Sequence, residues 1–326
     1  MNRGTPRLRF GVLGNDSFAI SCTKGIVESG HDVAGFFSLP AALRPNNPAD
    51  TRRFAREFDI PYRESPDVND PKTLSWLSGL DAEYLLVAWP RIVGPGVRRA
   101  CRRFAIGSHP TPLPLCRGRH PIHWTVALGI RDCILTLFAL GDGIDDGPIL
   151  VQEPFVSPSL SPIGDTVREM NEAGHRAVLA LCRKLSVDPQ FSGAPQDHGR
   201  ATTWRARTPH DVTLDPRMSI DMILRVVCSF SPPYPCANLV FENNVLKITA
   251  ARARTDFDGP SSAYLEHGMI TAVSGQTFAF KAEDGIVEVE CRDALPARIK
   301  PGARLHPPMH YLAVHGAALA EKLSDG

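Results

Sequence analysis

The sequence lacks any excess of charge: 36 Lys and Arg stand against 35 Asp and Glu in 326 residues. That balance excludes a global attraction to nucleic acid and leaves room only for a local basic patch. Paired cysteines are lacking too. The eight cysteines are scattered, never as Cys-x-x-Cys, and Cys22, Cys133, Cys182 and Cys228 sit in apolar runs. They read as reduced core residues of a cytosolic protein, without a disulfide framework or a zinc site. No apolar run approaches a membrane span. A strand follows Met1-Asn2-Arg3-Gly4 within a few residues, so no signal peptide is expected. A complete dinucleotide fingerprint is also missing. Gly11-Val12-Leu13-Gly14-Asn15 lacks the Gly-x-Gly-x-x-Gly spacing, and the next strand ends Phe37-Ser38-Leu39-Pro40 with no acid for a ribose. A glycine turn that lets strand and helix pack closely is the simpler reading.

What is there is a regular alternation. Buried-type strands are predicted at Arg9-Phe10-Gly11-Val12-Leu13-Gly14, Asp32-Val33-Ala34-Gly35-Phe36-Phe37-Ser38, Glu83-Tyr84-Leu85-Leu86-Val87-Ala88 and 104–109. Helices are expected between them: one capped by Asp16 or Ser17 and stopped at Gly30, one through Phe54 and Phe58, one near 74–77. Strand alternating with helix predicts a doubly wound α/β sheet. Runs 133–140 and 149–155 read as a long hairpin around the loop 141–148, and a helix follows over 165–185. Residues 188–204 turn to Pro, Gly, Gln, Asp and Ser, as a linker does. Domains 1–204 and 205–326 result. In the second, Ser219 caps a helix through Leu224 and Val227. Short β-type runs follow at 237–241, 245–250, 269–273, 277–281 and 286–291, which suit a five-stranded barrel. The arginine clusters 52, 53 and 56, and 98, 99, 102 and 103, read as solvated helix surface.

His109 carries the chemistry. It lies in Gly107-Ser108-His109-Pro110-Thr111-Pro112-Leu113-Pro114, with Arg117-Gly118-Arg119 just beyond, and Gly143-Ile144-Asp145-Asp146-Gly147-Pro148 comes later. A histidine at a strand end and a carboxylate in a glycine-bounded loop can move a proton during acyl transfer. This combination resembles the folate-dependent formyltransferases, the family that includes enzymes acting on methionyl-tRNA, glycinamide ribonucleotide and amino sugars. His109 matches the family histidine, Leu113-Pro114 and Arg117-Gly118 the stretch after it, and Asp145 the family aspartate. The resemblance covers the N-terminal domain, and Arg205-Ala206-Arg207-Thr208-Pro209-His210-Asp211 with Ser231-Pro232-Pro233-Tyr234-Pro235 is similar to the family's domain junction.

The resemblance implies a Rossmann-like formyltransferase domain, a small OB-like β-barrel after it, and 10-formyltetrahydrofolate as co-substrate. It implies catalysis by His109 and Asp145. The donor is expected on Leu86, Ala88, Trp89, Arg91, Ile92, Val93, Leu140, Asp142 and Ile144, and the acceptor on Gly107, Thr111, Arg117 and Arg119. Trp89 stacks on a flat ring or is a core aromatic; Arg117 and Arg119 grip an anion or tie down the Pro-rich loop. One position departs from the pattern. Gly107 stands where the family has asparagine, and in a strand it shares a face with His109. Three explanations are open: Arg91, Thr111 or His123 replaces the donor; the space admits a water or a bulkier amine; or transfer is impaired. The last leaves a folate-binding regulatory protein or a formyl-folate hydrolase as alternatives. His120 and His123 have no third ligand at helical spacing, so no metal is expected. Methionyl-tRNA calls for a basic loop after the second strand, but 39–48 holds a single basic residue, Arg44. A small-molecule amine, an amino sugar above all, is therefore preferred over tRNA as partner. No membrane partner is expected, and a homodimer is left open.

Overall fold

The computed structural model describes residues 7–45, 48–256 and 262–324. Met1-Asn2-Arg3-Gly4 and the pair Asn46 and Asn47, considered above, lie outside those residues. The chain divides into two compact units, 1–121 with 132–156 and 167–204, and 122–131 with 157–166 and 205–326.

The first unit begins with Arg9–Gly14 (β1), after which the Asp16 carboxylate accepts the Ala19 N–H at 3.1 Å and caps Ser17–Glu28 (α1). Asp32–Ser38 (β2), Thr51–Glu57 (α2), Tyr62–Glu64 (β3), Pro71–Gly79 (α3), Tyr84–Ala88 (β4) and Pro95–Arg98 (α4) lead to Phe104–His109 (β5). Arg117–Gly118 (β6), Asp132–Ala139 (β7), Ile149–Val156 (β8), Ile163–Val187 (α6) and Thr203–Trp204 (β9) follow; Pro121–Ala127 (α5), which comes between β6 and β7 in the chain, counts from residue 122 with the second unit. The main sheet has the order β3-β2-β1-β4-β5-β7-β8, parallel from β3 to β5 and antiparallel for β7 and β8. Its central strand β4 lies between β1 and β5 and is buried at four successive residues, so side chains on both faces are covered, which is why its sequence is apolar without alternation. The chain winds outward from β1 in one direction and resumes at β4 in the other. In such sheets the crevice at the carboxyl ends of strands beside that reversal is where ligands bind.

The second unit holds Thr213–Leu214 (β10), Ile220–Ser229 (α7), Ala237–Phe241 (β11), Asn244–Arg254 (β12), Ile270–Ser274 (β13), Thr277–Lys281 (β14), Ile286–Cys291 (β15) and Pro308–Ser324 (α8). Its sheet runs β10-β11-β12-β15-β14-β13, antiparallel except for the β10–β11 pair. The sequence pattern predicts five of these strands. The sixth, β10, is only two residues long, too short for a period to register. Helix α8 also escapes the pattern; it buries Tyr311, Leu319 and Leu323 against Val240. Among the described residues no helix is long and apolar enough to cross a membrane.

Two expectations need correction. Residues 188–204 are no linker: Ala194 bridges Ile149, and β9 pairs in parallel with β6. Gln196, the buried residue of this stretch, hydrogen-bonds within the first unit, while most of its neighbours stay exposed. The second arginine cluster is not simply solvated either. Arg98 donates to the Gly141 carbonyl and pairs with Asp142 at 2.5 Å.

In the second unit, both guanidinium arms of Arg205 reach Asp211, at 2.5 and 2.6 Å, and the Thr208 N–H adds a third donor at 2.7 Å. These donors hold the Asp211 carboxyl well below the usual carboxylate range. A carboxylate with a depressed folded-state value adds stability that is complete above about pH 4 and drains away as pH falls through the folded value. Asp211→Asn is expected to cost about 1–3 kcal/mol at pH 7, with the gap to wild type closing on acidification below pH 4. Urea unfolding across that pH series checks both the size and the sign.

Candidate active site

Strand β5 ends at His109, which is 4% exposed. Its Nε2 lies 2.8 Å from the Cys116 carbonyl, and its Nδ1 lies 3.5 Å from Oδ2 of Asp145. Both ring nitrogens therefore face oxygen acceptors. A neutral imidazole has one N–H and can donate to one of them; the imidazolium can donate to both. The Gly118 N–H donates to the same Asp145 oxygen at 2.9 Å. Asp145 itself has a left-handed φ of 51°, an uncommon conformation for a residue with a side chain. The imidazole keeps 5% of its side chain exposed and the aspartate 20%, so solvent reaches the pair mainly through the carboxylate. The neighbouring Asp146 turns into its own loop, with one buried carboxylate oxygen that has no partner among the described residues.

Sequence reasoning missed the group that holds this loop. Gln196 donates from Nε2 to the carbonyls of Asp145 and Gly147, at 2.8 and 2.7 Å, and accepts from Arg117 at 2.6 and 3.2 Å. Arg117 is buried by these contacts, with His198 Nδ1 a further 3.4 Å neighbour. The expectation of a ligand-gripping Arg117 is corrected accordingly: its guanidinium ties the chain together. A glutamine within a polar, Pro-rich stretch carried no signal of that role. Asn15, at the carboxyl end of β1, is a second omission. Its Oδ1 accepts from Ser38 and Leu39, while its buried Nδ2 has no partner among the described residues.

The other expected residues separate clearly. Leu86 is 2% exposed within β4, so its side chain offers nothing to a ligand. Thr111 is buried and donates its hydroxyl to the Leu115 carbonyl at 2.8 Å, so it shapes the Pro-rich loop and is no free donor. His123 belongs to the second unit, with Nδ1 2.6 Å from the Ser229 carbonyl and its ring against Phe230 and Tyr234. Half-buried Ala88 closes β4, and Trp89, Val93 and Leu140 pack onto the core beneath. The Trp89 ring sits 5.4 Å from Phe37, yet its indole N–H is buried without a partner among the described residues. Arg98 joins the segment after β4 to the loop at Gly141 and Asp142, which makes the two expected donor-binding segments neighbours. On those segments Ile92 and Ile144 stand 87% and 70% exposed. Arg91 is exposed and reaches the Pro66 carbonyl at 3.3 Å; Arg119 is exposed and held through its backbone to Trp204.

The space beside Gly107 is full. A Cβ there would lie 2.5 Å from Leu140 Cδ2 and 2.8 Å from Phe138 Cζ. Phe138 is the cross-strand partner of Gly107, so its ring covers the face that a side chain at 107 would use. A water or a bulkier amine could enter this space only by displacing the side-chain ends of Leu140 and Phe138.

Known proteins resemble this chain in sequence and in fold. A family model described as formyl transferase matches residues 32–180 of this chain. Methionyl-tRNA formyltransferase of Anaeromyxobacter sp. (strain K) is 27% identical over 308 residues, covering 89% of this chain and 93% of the relative. Its counterpart from Chloroflexus aurantiacus is 26% identical over 255 residues, covering 75% and 80%. The crystal structure of HypX from Aquifex aeolicus in complex with tetrahydrofolic acid superposes with a TM-score of 0.65 at 15% identity, over 96% of this chain and 48% of HypX. This chain thus spans about half the length of HypX. The sugar 3N-formyl transferase WlaRD, solved with dTDP and 5-N-formyl-THF, gives 0.62 at 12% identity, over 89% and 100%. These structures share the fold.

The packed slot makes a direct prediction. Gly107→Asn overfills it and is expected to cost about 1–3 kcal/mol in urea unfolding. Phe138→Ala, combined with it, recovers part of that loss by giving the amide room. Equal stability of wild type and Gly107→Asn would show that the slot is open.

Proposed function

We propose that this protein transfers a formyl group from 10-formyltetrahydrofolate to a primary amine, with a small biosynthetic amine such as an amino sugar as acceptor. The His109–Asp145 contact, inside a chain of formyltransferase type, is the observation that carries this reading. The folates in the HypX and WlaRD crystals support the choice of donor. The residues present suit such a substrate: exposed Ile92 and Ile144 on adjoining segments offer apolar surface to a flat ring, and the unpartnered Trp89 N–H suits an acceptor on it.

In the transfer, the amine nitrogen bonds to the formyl carbon, the bond from that carbon to the folate nitrogen breaks, and one proton passes from the amine to the leaving nitrogen. Negative charge gathers on the formyl oxygen along the way. Nε2 of His109 is committed to Cys116, so Nδ1 is the nitrogen left for chemistry. In the imidazolium form, which carries a proton on Nδ1 as well as on Nε2, the 3.5 Å contact with Asp145 is loose enough to be exchanged for a hydrogen bond to the formyl oxygen. Asp145, the more exposed of the two, relays the amine proton directly or through a water. Hydrocarbon beside Gly107 supplies no donor, which leaves the developing charge to His109. The same hydrocarbon weakens the formyl-folate hydrolase alternative, which needs water in that place. A purely folate-binding role has no use for the proton-handling pair.

For the acceptor, the loop after β2 speaks against a polyanion. Its one basic residue, Arg44, is turned inward onto Glu64 at 2.7 Å and onto the carbonyls of Leu39 and Ala49. Arg52 and Arg53 of α2 are paired with Glu64 and Glu57. Methionyl-tRNA is the second reading, favoured by relatives named for that activity whose similarity spans both units.

Release of tetrahydrofolate from the formyl donor, followed against a panel of amino sugars and against methionyl-tRNA at low and high salt, tests the proposal. His109→Ala and Asp145→Asn are each expected to lower kcat by about 10²–10⁴ while folate affinity stays within a few fold. Undiminished turnover in both variants would remove the basis of the mechanism. Saturable, salt-sensitive formylation of methionyl-tRNA alone would decide for the second reading.

A further inference from the structure

We propose that residues 194–204 form a positioning strap, in which Gln196 and Thr202 set the reactive geometry of Asp145 and His109. The inference rests on the function proposed above and adds the residues that hold its pair in place.

One arm of the strap serves the aspartate. An arginine has only donors, so the Gln196 atom facing Arg117 must be the amide oxygen, and the amide nitrogen must face the Asp145 and Gly147 carbonyls. The orientation of the amide is thus determined by its surroundings. These two bonds hold the loop in which Asp145 keeps its left-handed backbone, a conformation that persists only when neighbours impose it.

The other arm serves the histidine. The Thr202 hydroxyl accepts the Cys116 N–H at 2.9 Å, and the Thr202 carbonyl accepts the Arg117 N–H at 2.9 Å. Cys116, also left-handed at φ 58°, presents its carbonyl to His109 Nε2. The β6–β9 pairing then places Gly118, whose N–H reaches Asp145. Gly118 has φ 113°, and a Cβ there would come within 2.3 Å of the Trp204 carbonyl, so the approach of the strap requires glycine. Neither Gln196 nor Thr202 touches the reacting atoms. Both act through the backbone that carries them.

Gln196→Glu tests the first arm, because it keeps an oxygen for Arg117 and turns an acceptor toward two carbonyls. Thr202→Val removes the hydroxyl at constant shape, and Thr202→Ser restores it. We expect Gln196→Glu and Thr202→Val to lower kcat about 10–100-fold, since small misplacements of reacting groups cost that much, with KM for donor and acceptor within about threefold. Thr202→Ser should retain wild-type kcat. The ring nitrogen NMR signals of His109 in ¹⁵N-histidine-labelled protein should move in Thr202→Val and Gln196→Glu and stay in place in Thr202→Ser. Unchanged kcat and ring signals in the first two variants would overturn the strap, as would a kcat loss that merely tracks the fraction of unfolded protein. Should wild type transfer no formyl group to any acceptor, the proposed function fails, and the ring signals alone decide whether the strap positions His109.

Discussion

The candidate site is organised around one buried ring with an oxygen on either side. His109 is fixed by the Cys116 carbonyl at one nitrogen and faces the Asp145 carboxylate with the other. A single proton cannot satisfy both directions, so the ring and the carboxylate form a unit in which proton position and geometry are linked. Strand β5 supplies the rigid side of this arrangement, and two loops with left-handed residues supply the other. The sheet needs no help to place the histidine. The loops do, and their carbonyl and N–H groups are tied to segments far away in sequence.

The packing around Gly107 shows how a local departure becomes a property of the site. In a half-buried sheet, a missing side chain rarely leaves a void, because cores pack to crystal-like density. Phe138 across the strand pair and Leu140 beyond it fill the face instead. The region beside Gly107 is therefore lined by hydrocarbon. A polar group beside that hydrocarbon acts in surroundings of lower polarity, where electrostatic interactions are stronger.

Much of the fold was legible in the sequence, for reasons that can be stated. Strands β2, β5 and β15 have apolar runs bounded by turns, and Asp16 and Ser219 announce helices by their capping chemistry. The elements that were not legible are those whose signal lies elsewhere. Two-residue β10 has no period, and the polar stretch 188–204 looks like linker because composition does not tell whether amides bond to water or to chain. At the site, His109 and Asp145 could be named from motifs, but their 3.5 Å approach could not. Arg117, Thr111 and Leu86 illustrate the limit from the other direction. Each is of a type that suits a ligand, and each is consumed by burial or by an internal partner visible only in three dimensions. Conversely, the cross-strand neighbour of Gly107 follows from register, which no one-dimensional reading supplies.

The order of these pieces along the chain has a consequence for biosynthesis. His109, Asp145 and both loops are translated well before Ala194, Gln196, Thr202 and Trp204. A nascent chain that has emerged only as far as the end of α6 carries His109 and Asp145 with their direct partners Cys116 and Gly118, but not the Gln196 and Thr202 groups that bond to the two loops. The last hydrogen bonds to the loops at Cys116 and Asp145 therefore come from the final residues of the first unit to leave the ribosome.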